Sequence, residues 1–224
     1  YPASDILLTS DPGLDETPRL PIGRLSCINA NEVAIYLQKV IQYEQKLAFQ
    51  SPVIADKAWQ KNVVHVVGAG DGVLGTTLTV AMNGFTNIIA DTFYGANVNT
   101  FTKVSTAPVE QLNAGRLYDL INGGIGMMTY FGHSSATTLE FNLDNPDGYN
   151  NTGGKYPVFI LLGCSAGNFF NFNQARLATK ETISEKFVLA DQRGSIATLA
   201  STHLGIVHYL DIYNEKFMRS TSVN

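Results

Sequence analysis

The stretch Tyr156-Pro157-Val158-Phe159-Ile160-Leu161-Leu162-Gly163-Cys164-Ser165-Ala166-Gly167 decides how this chain is read. Pro and Gly bound a short, nearly unbroken apolar run, which is the pattern of a parallel strand covered on both faces. Open parallel sheets gather ligands and chemistry outside the carboxyl ends of their strands. Cys164 is therefore expected at the rim of a sheet, with Gly163 and Gly167 keeping its approach clear. Met127-Met128-Thr129-Tyr130-Phe131 ends the same way, in Gly132-His133-Ser134-Ser135. The attacking form of a cysteine is its thiolate, and a thiol needs a base or a positive neighbour to populate it. Two strands offering a His and a Cys at their carboxyl ends thus predict a Cys/His dyad. The bland alternatives are an inert buried cysteine and a histidine that merely caps a strand.

The pattern outward from these runs alternates strand with helix. Residues 1–21 are rich in Pro, Asp, Thr and Ser and read as a loop-rich lead-in; Ile22–Ser26 reads as a short strand. Asn29 and Asn31 are N-cap candidates for a helix reaching about Phe49, with Val33, Tyr36, Leu37, Val40 and Ile41 at helical spacing to face the sheet. Asn62–Val67 is the next strand, followed by Gly68-Ala69-Gly70-Asp71-Gly72. A short helix over about 75–83, a strand over Asn87–Asp91, and a helix from Pro108 to Asn122 follow. After the two central strands, separated by a polar loop over 142–155, come a helix over 176–190, a strand over 194–200 and a helix over 205–219. Strand–helix alternation implies parallel crossovers: a single α/β domain spanning 1–224, with a mainly parallel central sheet and helices on both faces.

With 45% hydrophobic and 15% charged residues, the 224-residue chain has the composition of one substantial core. A formal net charge of -4 and the absence of any basic run give no footprint for nucleic acid. The apolar runs are strand length, far short of the roughly 20 residues that span a bilayer. No signal peptide is visible, and the chain opens Tyr1-Pro2-Ala3-Ser4 without Met, so a leader or upstream segment is expected to have been removed. The two cysteines, Cys27 and Cys164, cannot form a disulfide framework or a thiolate metal site. Each follows its own apolar run, which disfavours a bridge between them.

Gly132-His133-Ser134-Ser135, followed by Gly163-Cys164-Ser165-Ala166-Gly167-Asn168-Phe169, resembles the His and Cys motifs of the gingipain-type cysteine peptidases of Bacteroidetes, in the caspase-like clan. Ile22–Cys27 with Tyr43-Glu44, and Gly194–Ala197 with Ala200-Ser201-Thr202, resemble flanking elements of that family. The likeness runs from about residue 20 onward. It implies a three-layer caspase-like domain and peptide-bond hydrolysis through an acyl-thioester on Cys164, with His133 as acid/base. It implies an oxyanion site made by the backbone N–H groups of Cys164 and Ser134. Asp71 matches the acidic residue that orients the histidine, accepting its second N–H to fix tautomer and ring direction. The chemistry requires no cofactor and no metal. The resemblance further implies protein or peptide substrates, a secreted or cell-surface location, and a propeptide or neighbouring domains of a larger polypeptide. The chain departs from the family at Ser134, where glycine is usual.

Between Asp71 and Asp91 there is no carboxylate to receive a basic side chain; Val73, Leu74, Val80, Met82 and Phe85 stand there instead. Arg or Lys specificity is not supported. His203 and His208 are candidate pocket residues. Three other readings compete. Gly163-Cys164-Ser165-Ala166-Gly167 also fits G-x-S-x-G, a serine nucleophile elbow, with Asp191 and His203 or His208 following. Gly68-Ala69-Gly70 with Asp91 hints at dinucleotide binding, although Val73 occupies the third glycine position. A peptidase-like domain of weak or no activity, serving protein binding or sorting at the cell surface, is the non-enzymatic alternative.

Overall fold

The apolar runs do lie side by side. In the computed structural model, which describes the chain except for residues 1–3, 6–7, 11–17, 50, 71, 92, 104–113, 171–181 and 224, strands β1 (Asn62–Gly68), β2 (Asn97–Thr102), β3 (Met127–Gly132), β4 (Val158–Leu162) and β5 (Ala197–Ala200) form one sheet. Its order is β2-β1-β3-β4-β5, and every pairing is parallel. Helices α1 (Ala30–Ala48), α2 (Gly72–Ile89), α3 (Ala114–Gly123), α4 (Ile183–Leu189) and α5 (Val207–Val223) complete the three-layer α/β architecture.

Strand side chains alternate between faces, and both faces here are covered. Val64, Val66, Met128, Tyr130, Phe159 and Leu161 pack against Leu117 and Ile121 of α3 and Ile183 and Phe187 of α4. Val63, Val67, Phe131, Ile160 and Leu162 pack against Leu78, Met82, Phe85 and Ile89 of α2 and Met218 of α5. This double burial is why the central strands read as continuous apolar runs.

Several expectations are corrected. The strand expected at Asn87–Asp91 is the last turn of α2 and the turn that follows. Leu78, Met82, Phe85 and Ile89 fall on one helical stripe, so Ile88-Ile89 extends a helix. The strand that does follow, β2, is an edge strand of sequence Asn-Val-Asn-Thr-Phe-Thr, too polar to announce itself. Ile22–Ser26 makes no ladder; Ser26 Oγ instead donates to Glu185 Oε1 at 2.8 Å, and Arg24 pairs with Asp5. The lead-in's other residues are only partly described. Of the helices expected at 108–122 and 176–190, the described portions are α3 and α4, and β5 starts three residues later than expected, after Gly194 at φ +79°.

Helix α1 starts where expected. Asn29 is the N-cap, its side chain accepting the Glu32 N–H at 3.0 Å, while Glu32 Oε2 accepts the Ile28 N–H at 3.1 Å. The face it buries differs from the expected one, because Val33, Leu37 and Ile41 are exposed. Lys39 docks the helix: its buried ammonium donates to the carbonyls of Phe187, Val188 and Ser195 at 3.2, 2.9 and 2.9 Å. Two of those carbonyls belong to the last turn of α4, where a cation is favoured. Among the described residues no helix is long and apolar enough to cross a membrane.

Candidate active site

The chain passes from β1 outward to β2 and returns to place β3 on the other side of β1. Open parallel sheets bind ligands beyond the carboxyl ends of the strands at such a reversal, here those of β1 and β3. His133 is the first residue after β3. The register pairs Phe131 of β3 with Leu162 of β4. Two residues further along each chain stand His133 and Cys164, so sheet geometry alone brings the pair to neighbouring positions on the rim. No disulfide joins the two cysteines, and Cys164 is half-buried while His133 is exposed. Among the described residues no hydrogen bond joins the imidazole to the thiol.

The backbone of His133 is braced from below. Its N–H donates to Gly68 O at 3.4 Å, and its carbonyl accepts from the Glu140 N–H at 3.4 Å and from the hydroxyl of buried Tyr130. The Tyr130 oxygen also accepts the Glu140 N–H at 3.1 Å. That hydroxyl passes directly over Gly68, where any side chain would collide with it. Burial holds the Tyr130 phenol well above its usual range, so it remains a donor. The Lys103–Glu140 pair, at 2.8 Å, ties the end of β2 to the loop after His133. Within that loop Ser134 bridges Leu139, in a pattern that leaves the Ser134 N–H outside the bridge.

The Cys164 turn is braced from the β5 side. Ser201 Oγ donates to the Gly163 carbonyl, and Ser201 O accepts the Gly167 N–H at 2.9 Å. His203 O accepts the Ser165 N–H at 2.8 Å, and the Gly205 N–H points at Cys164 Sγ at 3.4 Å. Ser165 adopts φ +58°, a left-handed conformation that costs a non-glycine residue about 1–2 kcal/mol. From the β3 side, Ser134 Oγ donates to the Cys164 carbonyl at 2.8 Å. Among the described residues the backbone N–H groups of Cys164 and Ser134 meet no other acceptor.

Leu204 and Ile206, flanking Gly205, are 71% and 59% exposed. Two clefts, of about 300 and 550 Å³, lie elsewhere, and neither is lined by His133 or Cys164. Among the described residues no three His, Cys, Asp or Glu side chains cluster as metal ligands.

Other sequence candidates fare differently. Asp71 lies outside the described residues; its neighbours Gly70 and Gly72 follow β1, next to β3 in the sheet. Met82 and Phe85 are core residues of α2, while Val73 and Val80 are exposed. His203 stands in the loop over the thiol, and His208 in the first turn of α5. Asp191 lies in the turn entering the amino end of β5, at the far end of the sheet from Ser165, and so stands apart from that serine. Asp91 follows α2 rather than a strand's carboxyl end, which removes the dinucleotide reading. The bracing contacts of Tyr130, Ser201 and Gly205 escaped sequence reasoning, although Ser201 and His203 were singled out on other grounds, since nothing local marks a residue that supports a neighbouring strand's turn.

The sequence profile of peptidase family C25 matches residues 1–223. The chain belongs to peptidase family C25. The family's gingipain-type fold is reproduced in solved structures. Gingipain R, described as an Arg-specific cysteine proteinase, matches with a TM-score of 0.67 at 19% identity, over 97% of this chain and 49% of its own. The complex of Porphyromonas gingivalis RgpB pro- and mature domains matches with a TM-score of 0.70 at 17% identity, over 99% of this chain and 50% of that one. A structure described only as a protease gives 0.64 at 18%, over 92% and 42%. This C25 chain thus spans about half the length of the solved relatives. No curated protein sequence matches it.

Proposed function

We propose that the chain is the catalytic unit, a single domain, of a cysteine endopeptidase. Cys164 Sγ attacks the carbonyl carbon of a peptide bond as His133 takes the thiol proton, and the carbonyl oxygen becomes an oxyanion. The oxyanion is bound by the N–H groups of Cys164 and Ser134. Collapse breaks the C–N bond; His133 returns the proton to the departing amine, leaving an acyl-thioester on Cys164. Water, deprotonated by His133, then attacks the thioester and releases the acid and the thiol. Asp71 would orient the imidazole. The observation that carries this reading is the register that sets His133 and Cys164 side by side on the rim of a C25 fold.

Leu204 and Ile206, exposed beside the N–H that touches the thiol, favour an apolar residue before the cut over a basic one. A secreted or cell-surface location, and regulation by a propeptide or neighbouring domain, fit the family and the relatives' greater length. A positional-scanning peptide library tests the reading. Cleavage after apolar residues, abolished by Cys164→Ala and His133→Ala, is expected. Hydrolysis that survives Cys164→Ala but is lost in Ser165→Ala would transfer the role to the serine. A folded sample that cleaves nothing would support the binding or sorting alternative.

A further inference from the structure

We infer that Ser134 is a positioning residue, whose hydroxyl locks the two oxyanion donors of the site to one another. The inference rests on the proposed role of Cys164 and deepens it at the residue where the chain departs from its family's motif.

The Ser134 hydroxyl crosses from the β3 turn to the β4 turn and donates to the Cys164 carbonyl at 2.8 Å. The gap is shaped for it. A Cβ on Gly163 would stand 2.1 Å from Ser134 Oγ and 3.0 Å from Ser134 Cβ, so the glycine before the nucleophile leaves the room that the serine side chain fills. The accepting carbonyl belongs to the Cys164–Ser165 peptide, whose N–H donates to His203 O at 2.8 Å. That peptide plane is therefore held at both polar ends by different loops, and it leads into Ser165 at φ +58°. An unusual backbone conformation of this kind persists only where its surroundings over-determine it.

Fixing this peptide fixes the backbone from which Sγ and the Cys164 N–H project. The hydroxyl doing so belongs to Ser134, whose own N–H is the other proposed donor. One hydrogen bond thereby sets the spacing between the two donors before substrate arrives. Preorganised donors of this sort act on the tetrahedral intermediate more than on bound substrate. Alkylation of the thiol by iodoacetamide develops no oxyanion and is expected not to depend on the bond.

The test compares Ser134→Ala, Ser134→Gly and Ser134→Thr with the unaltered chain, by hydrolysis, by iodoacetamide labelling of Cys164, and by affinity for a peptide aldehyde, whose hemithioacetal mimics the intermediate. In the Ala and Gly variants kcat and aldehyde affinity are expected to fall together by about ten- to hundredfold. KM and the labelling rate should stay within about twofold, and Thr, which keeps a hydroxyl, should recover part of the loss. Aldehyde protection of Cys164 from labelling gives the same readout without turnover. Unchanged kcat and aldehyde affinity in Ala and Gly would overturn the inference. So would parallel losses of labelling, affinity and thermal stability that Thr does not repair, since these mark a merely structural role. Absence of any aldehyde protection in the unaltered chain would overturn it together with the reading of Cys164. Hydrolysis surviving Cys164→Ala would overturn that reading independently of Ser134.

Discussion

His65 sits in the middle of β1 with no exposure to solvent; its Nδ1 meets the Thr86 hydroxyl at 3.0 Å, while Nε2 is buried without a hydrogen-bond partner. Its register neighbour on β3, Thr129, likewise buries an unpartnered hydroxyl. Desolvation lowers the His65 pKa from 6.5 to about 4. The unfolded chain therefore binds a proton between these values that the folded chain refuses. Stability is fully present above about pH 6.5 and declines as pH falls to about 4, by a total of about 3 kcal/mol. Urea unfolding across that range should show the decline, and His65→Met should flatten it; an unchanged slope in the variant would assign acid sensitivity to other groups. At this scale the sequence was partly readable. His133 and Cys164 stood out because each ends an apolar run. The bond from Ser134 to the Cys164 carbonyl depends on strand register, and the tie from Tyr130 to His133 depends on a hydroxyl passing over Gly68. Neither leaves a local pattern.

Among the elements, β1, β3 and β4 were legible because burial on both faces forces continuous apolar runs, and α1 because its N-cap chemistry is local. Two elements misled for physical reasons. An edge strand pairs on one side only, so β2 tolerates Asn and Thr and loses the signature of a strand. Ile88-Ile89 is β-branched and apolar, yet Ile89 closes the helical stripe of Leu78, Met82 and Phe85 against the sheet. Short apolar runs do not separate strand from helix by periodicity, and tertiary packing decides. Ile89 is fully buried in that stripe. Ile89→Ala should cost about 2–5 kcal/mol in chemical denaturation, through lost burial and an unfilled cavity. A cost below about 1 kcal/mol would contradict the packing of α2.

For the molecule as a whole, strand order explains why one small sheet carries His133 and Cys164 at the same edge. The reversal between β1 and β3 opens the rim, β4 extends it, and the loop after β5 folds back over the thiol. Alternation of strands and helices foretold the layers and the parallel sheet; the strand order and the loop over Cys164 emerged only from tertiary structure. If Cys164 on this rim is the nucleophile, an activated ketone will capture it covalently. The chain is treated with a peptidyl acyloxymethyl ketone bearing an apolar residue at its reactive end, and the modified residue is mapped by mass spectrometry. Rapid, stoichiometric modification of Cys164 is expected, with Cys27 untouched and the rate greatly reduced by His133→Ala. Modification of Ser165, or equally slow labelling of both cysteines, would contradict it.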